Sequence, residues 1–176
     1  MARPLPTAKP AFNGTLRPAR PEDLPAIVQI ENQSFGTERW PAEALGDVLD
    51  YSLESTATTL VVAFAKAASP ASNDNPEPAG YGLGEMETPT QGVVMSMAVA
   101  KNFRGQGVGR LLLDEIVENL RQAGAQKIVL QVESSNKVAV SLYESSGFVF
   151  DHSLRDYYGE GRDGSLMVRD LKAPKP

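Results

Sequence analysis

Residues 93–113 read Val93-Val-Met-Ser-Met-Ala-Val-Ala-Lys-Asn-Phe-Arg-Gly-Gln-Gly-Val-Gly-Arg-Leu-Leu-Leu113, and their reading decides the fold. An apolar run predicts a buried strand, and a glycine-rich turn opens directly into a helix. Gly105, Gly107 and Gly109 remove side chains where the backbone must come close to something. The helix that follows offers free N–H groups and the positive end of its dipole. Together these make a site for a phosphate or pyrophosphate. Two common phosphate loops do not fit. A nucleotide-triphosphate loop needs Lys then Ser or Thr after its last glycine, and here Arg110 and Leu111 follow Gly109. The dinucleotide fingerprint spaces its glycines G-x-G-x-x-G, whereas this loop reads Gly105-x-Gly107-x-Gly109.

Composition narrows the chemistry further. The 176 residues suffice for one well-cored domain. A hydrophobic content of 41% with 22% charged residues is ordinary for a globular chain. The net charge of −5 provides no general attraction to nucleic acid or an anionic membrane, so neither is an expected partner. Cysteine is absent, which excludes disulfides, a thiol nucleophile and a cysteine metal site. His152 is the lone histidine, so neither a histidine metal cluster nor a Ser/His/Asp triad is expected, and no metal is predicted. No apolar run reaches a membrane-spanning length and the first residues lack an apolar signal core, so the expected compartment is the cytoplasm.

Working outward from the glycine loop, residues 1–14 carry three prolines and little periodicity, predicting a flexible arm. A short strand is expected at Thr15 to Pro18. Pro21 with Glu22 and Asp23 opens a first helix, whose apolar face is Leu24, Ile27, Val28 and Ile30. Glu31 falls where that stripe would next place an apolar residue. Ala42 to Leu49 reads as a second helix and Thr58 to Phe64 as an inner strand. Residues 67–80, with three prolines, two asparagines and two serines, read as a long loop. Strands are expected at Gly80 to Glu87 and Gly92 to Val99. A helix spans Val108 to Ala123, apolar at Leu112, Leu113, Ile116, Val117 and Leu120 and closed by Gly124. A strand at Lys127 to Val132, a helix at Asn136 to Ser146 and strands at Phe148 to Ser153 and Ser165 to Leu171 complete the domain of residues 15–171. Residues 172–176 are a flexible tail.

The spacing Arg104-x-x-Gly107-x-Gly109 behind an apolar strand resembles the R/Q-x-x-G-x-G/A loop of the GNAT acetyltransferases. Ala139-Val-Ser-Leu-Tyr-Glu-Ser-Ser-Gly-Phe148 is similar to the A-x-x-L-Y-x-x-x-G-F signature of the same superfamily. The resemblance implies the GNAT fold: an α+β domain whose mixed, mostly antiparallel central sheet carries helices on both faces. It implies acetyl-coenzyme A as co-substrate, contacted by Met97, Ala98, Val99, Arg104, Gly105, Gln106, Gly107, Val108, Gly109, Arg110, Asn136 and Tyr143. Tyr143 would be the acid that protonates the leaving thiolate, and Asn136 would hydrogen-bond the pantetheine arm. Residue types alone also allow Tyr143 to be a packing aromatic and Asn136 an N-cap.

Asp156-Tyr157-Tyr158 followed by Asp163-Gly-Ser-Leu-Met167, together with Ile30-Glu31 through Phe35 and Trp40-Pro41, resembles the RimI-type enzymes that acetylate protein N-termini. The resemblance implies an acceptor protein N-terminus, such as that of a ribosomal protein beginning with alanine, flanked by Phe35, Tyr157 and Tyr158. A backbone N–H near Met97 could stabilise the oxyanion if the strand splays at its end. RimI-like enzymes carry a glutamate base where this chain has Gln131, an amide that cannot take a proton. Glu133, two residues on and on the same strand face, is the substitute candidate. An α-amine of pKa about 7.7–8.0 needs such a base far less than a lysine at about 10.4. A GNAT enzyme acting on a small amine or lysine side chain, and a coenzyme-binding domain with little catalysis, are the alternatives.

Overall fold

The computed structural model describes residues 11–66 and 76–171. The chain runs β1 (Gly14–Pro18), a 3-10 turn (Pro21–Asp23), α1 (Leu24–Phe35) and α2 (Ala42–Glu54), then β2 (Thr58–Ala65), β3 (Pro78–Thr88) and β4 (Gln91–Val99). It continues as α3 (Val108–Gln122), β5 (Lys127–Glu133), α4 (Lys137–Ser145), β6 (Val149–Leu154) and β7 (Gly164–Asp170). The seven strands form one sheet in the order β1-β2-β3-β4-β5-β7-β6. Only β4 and β5 are parallel, with α3 as their crossover; every other neighbouring pair is antiparallel. The expected mixed, mostly antiparallel sheet with helices on both faces is therefore present.

Alternation along β2 divides the core. Val61 and Ala63 join the cluster containing Leu112, Leu113, Ile116 and Leu120 of α3. Leu60, Val62 and Phe64 join the opposite cluster, with Ile27 and Ile30 of α1 and Leu45 and Leu49 of α2. Period-two strand geometry produces this split. From residue 80 to 84 one face of β3 is glycine alone: Gly80, Gly82 and Gly84 all meet α3, where an added Cβ would lie 3.0 Å from Leu112 Cδ1, 2.5 Å from Ile116 Cδ1 and 2.6 Å from Ile116 Cγ2. Helix α3 thus packs directly on the β3 backbone. Tyr81 and Leu83, on the alternate face, are fully buried with α1 and α2.

Some boundaries differ from expectation for local reasons. Pro21 starts a 3-10 turn, and Asp23 closes it by accepting from the Arg20 N–H at 2.8 Å while Arg17 binds both its carboxylate oxygens. Helix α2 runs five residues beyond Leu49, to Glu54. The loop expected over 67–80 stops short, because Pro78 already belongs to β3; residues 67–75 lie outside the described residues. Of the arm expected over 1–14, residues 1–10 also lie outside them. Phe12 is anchored, its N–H donating to Gln106 O at 2.9 Å and its ring meeting Phe103 edge-on at 6.2 Å. The tail, residues 172–176, lies outside the described residues.

Candidate active site

The parallel β4–β5 ladder pairs only Gln91–Val94 with Lys127–Leu130. On its other edge β5 stays paired with β7 from Lys127 to Glu133, so Gln131, Val132 and Glu133 face Leu166, Ser165 and Gly164 there and have no β4 partner. On its other edge β4 is bulged: Leu83 faces Ser96 and Gly84 faces Val94, leaving Met95 as the extra residue. A bulge bends its strand and sharpens its twist. The two parallel strands therefore part after Val94, and β4 leaves an edge of main chain facing the gap. The splay expected near Met97 is present, and it begins at Met95.

A cavity of about 550 Å³ fills this gap. Its walls carry Ser96 and Met97 of β4, Gln131 and Glu133 of β5, and Tyr143 of α4. Its mouth is formed by Phe35 at the end of α1, Glu38 in the loop that follows, and the β6–β7 loop, with Tyr157, Tyr158 and Arg162. Phe35, Tyr157, Tyr158, Asn136, Tyr143, Met97 and Glu133, picked out in the sequence, thus share one cavity. Ala98 is buried on the opposite sheet face with Tyr81. Val99 packs against the α3 side.

At the far end of β4 the chain enters the glycine loop. Gly107 is the N-cap of α3 with φ 92°, a left-handed conformation that L side chains disfavour, and a Cβ there would meet nothing within 4 Å. The cap is therefore both strained for other residues and open to a ligand. Gly109 serves packing instead: its Cβ position is 3.3 Å from Leu142 Cδ2 of α4. Side chains near the loop are engaged locally. Arg104 Nε donates to Val99 O at 2.9 Å, and Gln106 Nε2 donates to Asn102 O at 2.8 Å. Arg110 turns away from the cap to the end of α4, donating to Ser145 O, Ser145 Oγ and Ser146 Oγ. Its guanidinium complements the negative end of α4, so what this segment offers an anion is its backbone N–H groups.

Asn136 is the N-cap of α4, its side chain accepting from the Ala139 N–H at 3.2 Å. Tyr143 packs edge-on against Phe148 at 6.0 Å, and burial pushes its phenol up to about 12. It is therefore protonated across the physiological range and suited to give a proton. Tyr158, half-buried beside Tyr157, is also pushed up to about 12, first by burial and then by neighbouring Tyr157, Tyr143, Glu38 and Glu133.

Glu133 was the sequence candidate for a base, but it has a competing partner. Arg162 donates from Nε and Nη2 to both Glu133 oxygens at 3.0 and 2.8 Å, and its Nη1 binds Glu38. This bidentate hydrogen bonding holds the Glu133 carboxyl below the usual carboxylate range. A carboxylate so held is a weakened proton acceptor. Arg162 ties the β6–β7 loop to both the α1–α2 loop and the end of β5. No local sequence signal marked it.

Glu31 is only 1% exposed. One oxygen accepts the Trp40 N–H at 2.7 Å; the other accepts a hydrogen bond from the Tyr81 hydroxyl. Tyr81 Oη lies 2.8 Å from Ser96 Oγ, and both Glu31 and Ser96 line the cavity. The break in the apolar stripe of α1 was the sequence signal for Glu31; Tyr81 and Ser96 had none. Among the described residues, no group of three or more His, Asp or Glu side chains could hold a metal ion, and no helix is long and apolar enough to cross a membrane.

Comparison with known proteins agrees with this geometry. Residues 24–148 match the family described as acetyltransferase (GNAT) family. The chain is 37% identical over 81 residues to N-alpha-acetyltransferase 30 of Schizosaccharomyces pombe, covering 46% of this chain and 54% of the relative. It is 32% identical over 80 residues to the ribosomal protein alanine N-acetyltransferase of Escherichia coli, covering 44% and 54%. The chain spans about half the length of the curated relatives it matches. The crystal structure of Ard1 from Thermoplasma volcanium superposes with a TM-score of 0.75 at 25% identity, covering 92% of this chain and all of that one.

Proposed function

This chain belongs to the GNAT acetyltransferase family, and from that premise we propose that it transfers the acetyl group of acetyl-coenzyme A to the N-terminal α-amine of a protein. A ribosomal protein beginning with alanine is the first acceptor to test, and the cytoplasm is the proposed compartment. The observation that carries this reading is the cleft between β4 and β5. It is walled by β4, the strand that runs on to the Gly107-capped end of α3, fit for a pyrophosphate, and it opens at a mouth bearing Phe35, Tyr157 and Tyr158.

The coenzyme would lay its pyrophosphate on the main chain of residues 104–110 and its pantetheine arm between the parted strands beside Asn136. The acetyl carbonyl would then meet the exposed N–H edge of β4 near Met97. The acceptor amine attacks the carbonyl carbon, the C–S bond breaks, and Tyr143 protonates the departing sulfur. Tyr157 is 54% exposed, so its loop does not close a compact chamber around a small amine. That openness favours a chain terminus as acceptor. Near pH 7.5 an α-amine of pKa about 7.7–8.0 is already roughly one-quarter to one-third neutral, whereas a lysine at about 10.4 is neutral about once in a thousand.

The test is acetyl transfer measured by mass spectrometry with alanine-starting peptides, lysine peptides with blocked N-termini, and small amines. Acetylation of the free α-amine at a rate well above the others is expected. Preference for lysine or a small amine overturns the acceptor assignment, and coenzyme binding without acetylation of any amine overturns the enzymatic reading.

A further inference from the structure

The expected base position is Gln131 and the substitute carboxylate, Glu133, is held by Arg162. The cavity nevertheless has a third acid at its floor, and the direction of its hydrogen bonds can be worked out. Tyr81 has one hydroxyl proton, and it is given to Glu31. In the contact between Tyr81 Oη and Ser96 Oγ the tyrosine oxygen must therefore accept, so Ser96 must donate. With its single proton turned inward, Ser96 presents lone pairs to the cavity that it lines. The chain of hydroxyls is thus oriented to receive a proton from the cleft and deliver one to a buried carboxylate. Burial and the Glu31 hydrogen bond push the Tyr81 phenol up, which suits a hydroxyl that relays protons without ionising.

Resting on the acetyl-transfer reading, we propose that Glu31 is the proton acceptor of the reaction, reached from the attacking amine through Ser96 and Tyr81. As the N–C bond forms and the C–S bond breaks, the amine proton passes to Ser96 Oγ. The Ser96 proton moves to Tyr81 Oη, and the Tyr81 proton moves to Glu31 Oε2. Tyr143 protonates the sulfur, and the proton left on Glu31 returns through Tyr81 and Ser96 to the cleft, where water carries it to Tyr143 and the hydroxyls regain their starting orientation. Atoms and charge then balance over the turnover. Ser96 touches the reacting amine and is a catalytic residue in this scheme; Tyr81 and Glu31 act through it. Trp40 is bound to the same carboxylate through its N–H at 2.7 Å, so Glu31 also pins the start of α2 to the sheet.

Other titratable groups face this floor. Glu38, Glu133 and Arg162 stand at the mouth as one ion-paired group, and Tyr157 lies beside them. Tyr143 from α4 and Tyr158 from the β6–β7 loop are both pushed up to about 12, above the range of the test.

The experiment is steady-state acetylation of an alanine-starting peptide by the full chain, its Ser96→Ala and Tyr81→Phe variants and the double variant, between about pH 6.5 and 9, a range that brackets the α-amine pKa. Both substitutions keep Glu31 and its Trp40 hydrogen bond. Each is expected to lower kcat about 100-fold near pH 7 with acetyl-coenzyme A affinity unchanged. The double variant should fall no further than either single one, and the loss should shrink toward pH 9 as solvent base replaces the relay. Gln131→Glu, which sets a carboxylate on the opposite wall, should restore at least tenfold of the Ser96→Ala loss. A merely structural role predicts a pH-independent loss, additive between the two sites and not restored by Gln131→Glu. That pattern, or a kcat within threefold of the parent in either variant, overturns the relay while the parent's activity keeps the acetyl-transfer reading intact. A parent that binds coenzyme and acetylates nothing overturns both.

Discussion

The contact of α3 with a side-chain-free strip of β3 makes a quantitative prediction, because two glycines of that strip meet different kinds of atom. A Cβ at Gly80 would lie 2.7 Å from the carbonyl oxygen of Ala98, and one at Gly82 would lie 2.5 Å from Ile116 Cδ1. The second clash is the shorter, but its partner is the end of a rotatable side chain. The first is with main chain in the β3–β4 ladder, where Gly80 pairs with Val99. Inserting a methyl into a packed core costs about 1–3 kcal/mol. Alanine recovers roughly 0.5–1 kcal/mol of the backbone entropy that glycine loses in a strand. Gly82→Ala, at the low end of the range, should therefore be close to neutral, within about 1 kcal/mol. Gly80→Ala, at the high end, should lose about 2 kcal/mol. For a domain of this size that corresponds to about 4–8 °C in Tm for Gly80→Ala and at most about 4 °C for Gly82→Ala. Because Ala98 follows Met97 in the strand that walls the cleft, Gly80→Ala should also slow acetyl transfer at temperatures well below its melting point. Paired thermal melts by circular dichroism, with acetylation rates at about 25 °C, check both parts. Equal melting shifts, or a larger shift for Gly82→Ala, would refute the distinction between main-chain and side-chain clashes.

Further predictions concern the cleft itself. Tyr143→Phe should lower kcat about 100-fold or more while acetyl-coenzyme A affinity, measured by calorimetry, changes little, since only the proton donor is removed. Arg162→Ala should unlatch the β6–β7 loop from Glu38 and Glu133, so we expect peptide KM to rise more than kcat falls and the salt dependence of KM to weaken. The same pair carries a pH signature. The Glu133 carboxyl is held below its usual value by Arg162, so the pair's contribution is complete above about pH 4.3 and is lost as pH falls through the lowered folded value. Acid titration of peptide binding should show that loss in the parent and not in Arg162→Ala. Asp23→Ala should destabilise by about 1–3 kcal/mol, read by urea unfolding, because it strands the Arg20 N–H and the part-buried Arg17 guanidinium together.

Much of this architecture is local information, which is why the sequence carries it. The strand before Gly105, the helix after Gly107 and the cap at Asn136 each follow from residues within one turn of the feature they make. The apolar spacing of Leu112, Leu113, Ile116, Val117 and Leu120 marked the buried face of α3, and all five are in the core. Non-local features were not legible in the same way. The insertion of β7 between β5 and β6 depends on pairing across a loop, and the Arg162–Glu38 contact joins residues 124 apart in sequence. The glycines at 80, 82 and 84 display a period of two. That period announces one bare face of a strand, without saying that α3 would lie on it.

The two candidate acids show why position in the sheet settles what strand alternation could only propose. Alternation put Glu133 on the same face as Gln131, and both do line the cleft. At the open end of β5, however, a side chain is within reach of the β6–β7 loop, and the guanidinium there binds both of its oxygens. A proton arriving on Glu133 must displace a bidentate cation. Glu31 was conspicuous for the opposite reason, a charge where the helix stripe called for an apolar residue. Burying a carboxylate is costly unless donors meet it, and both of its donors, the Trp40 N–H and the Tyr81 hydroxyl, are neutral. A proton arriving there through Tyr81 and Ser96 displaces no ion pair. An acid retained in an apolar stripe, met by neutral donors and connected by hydroxyls to the reaction cleft, has the arrangement that proton uptake requires, and the Ser96→Ala measurement decides whether the enzyme uses it.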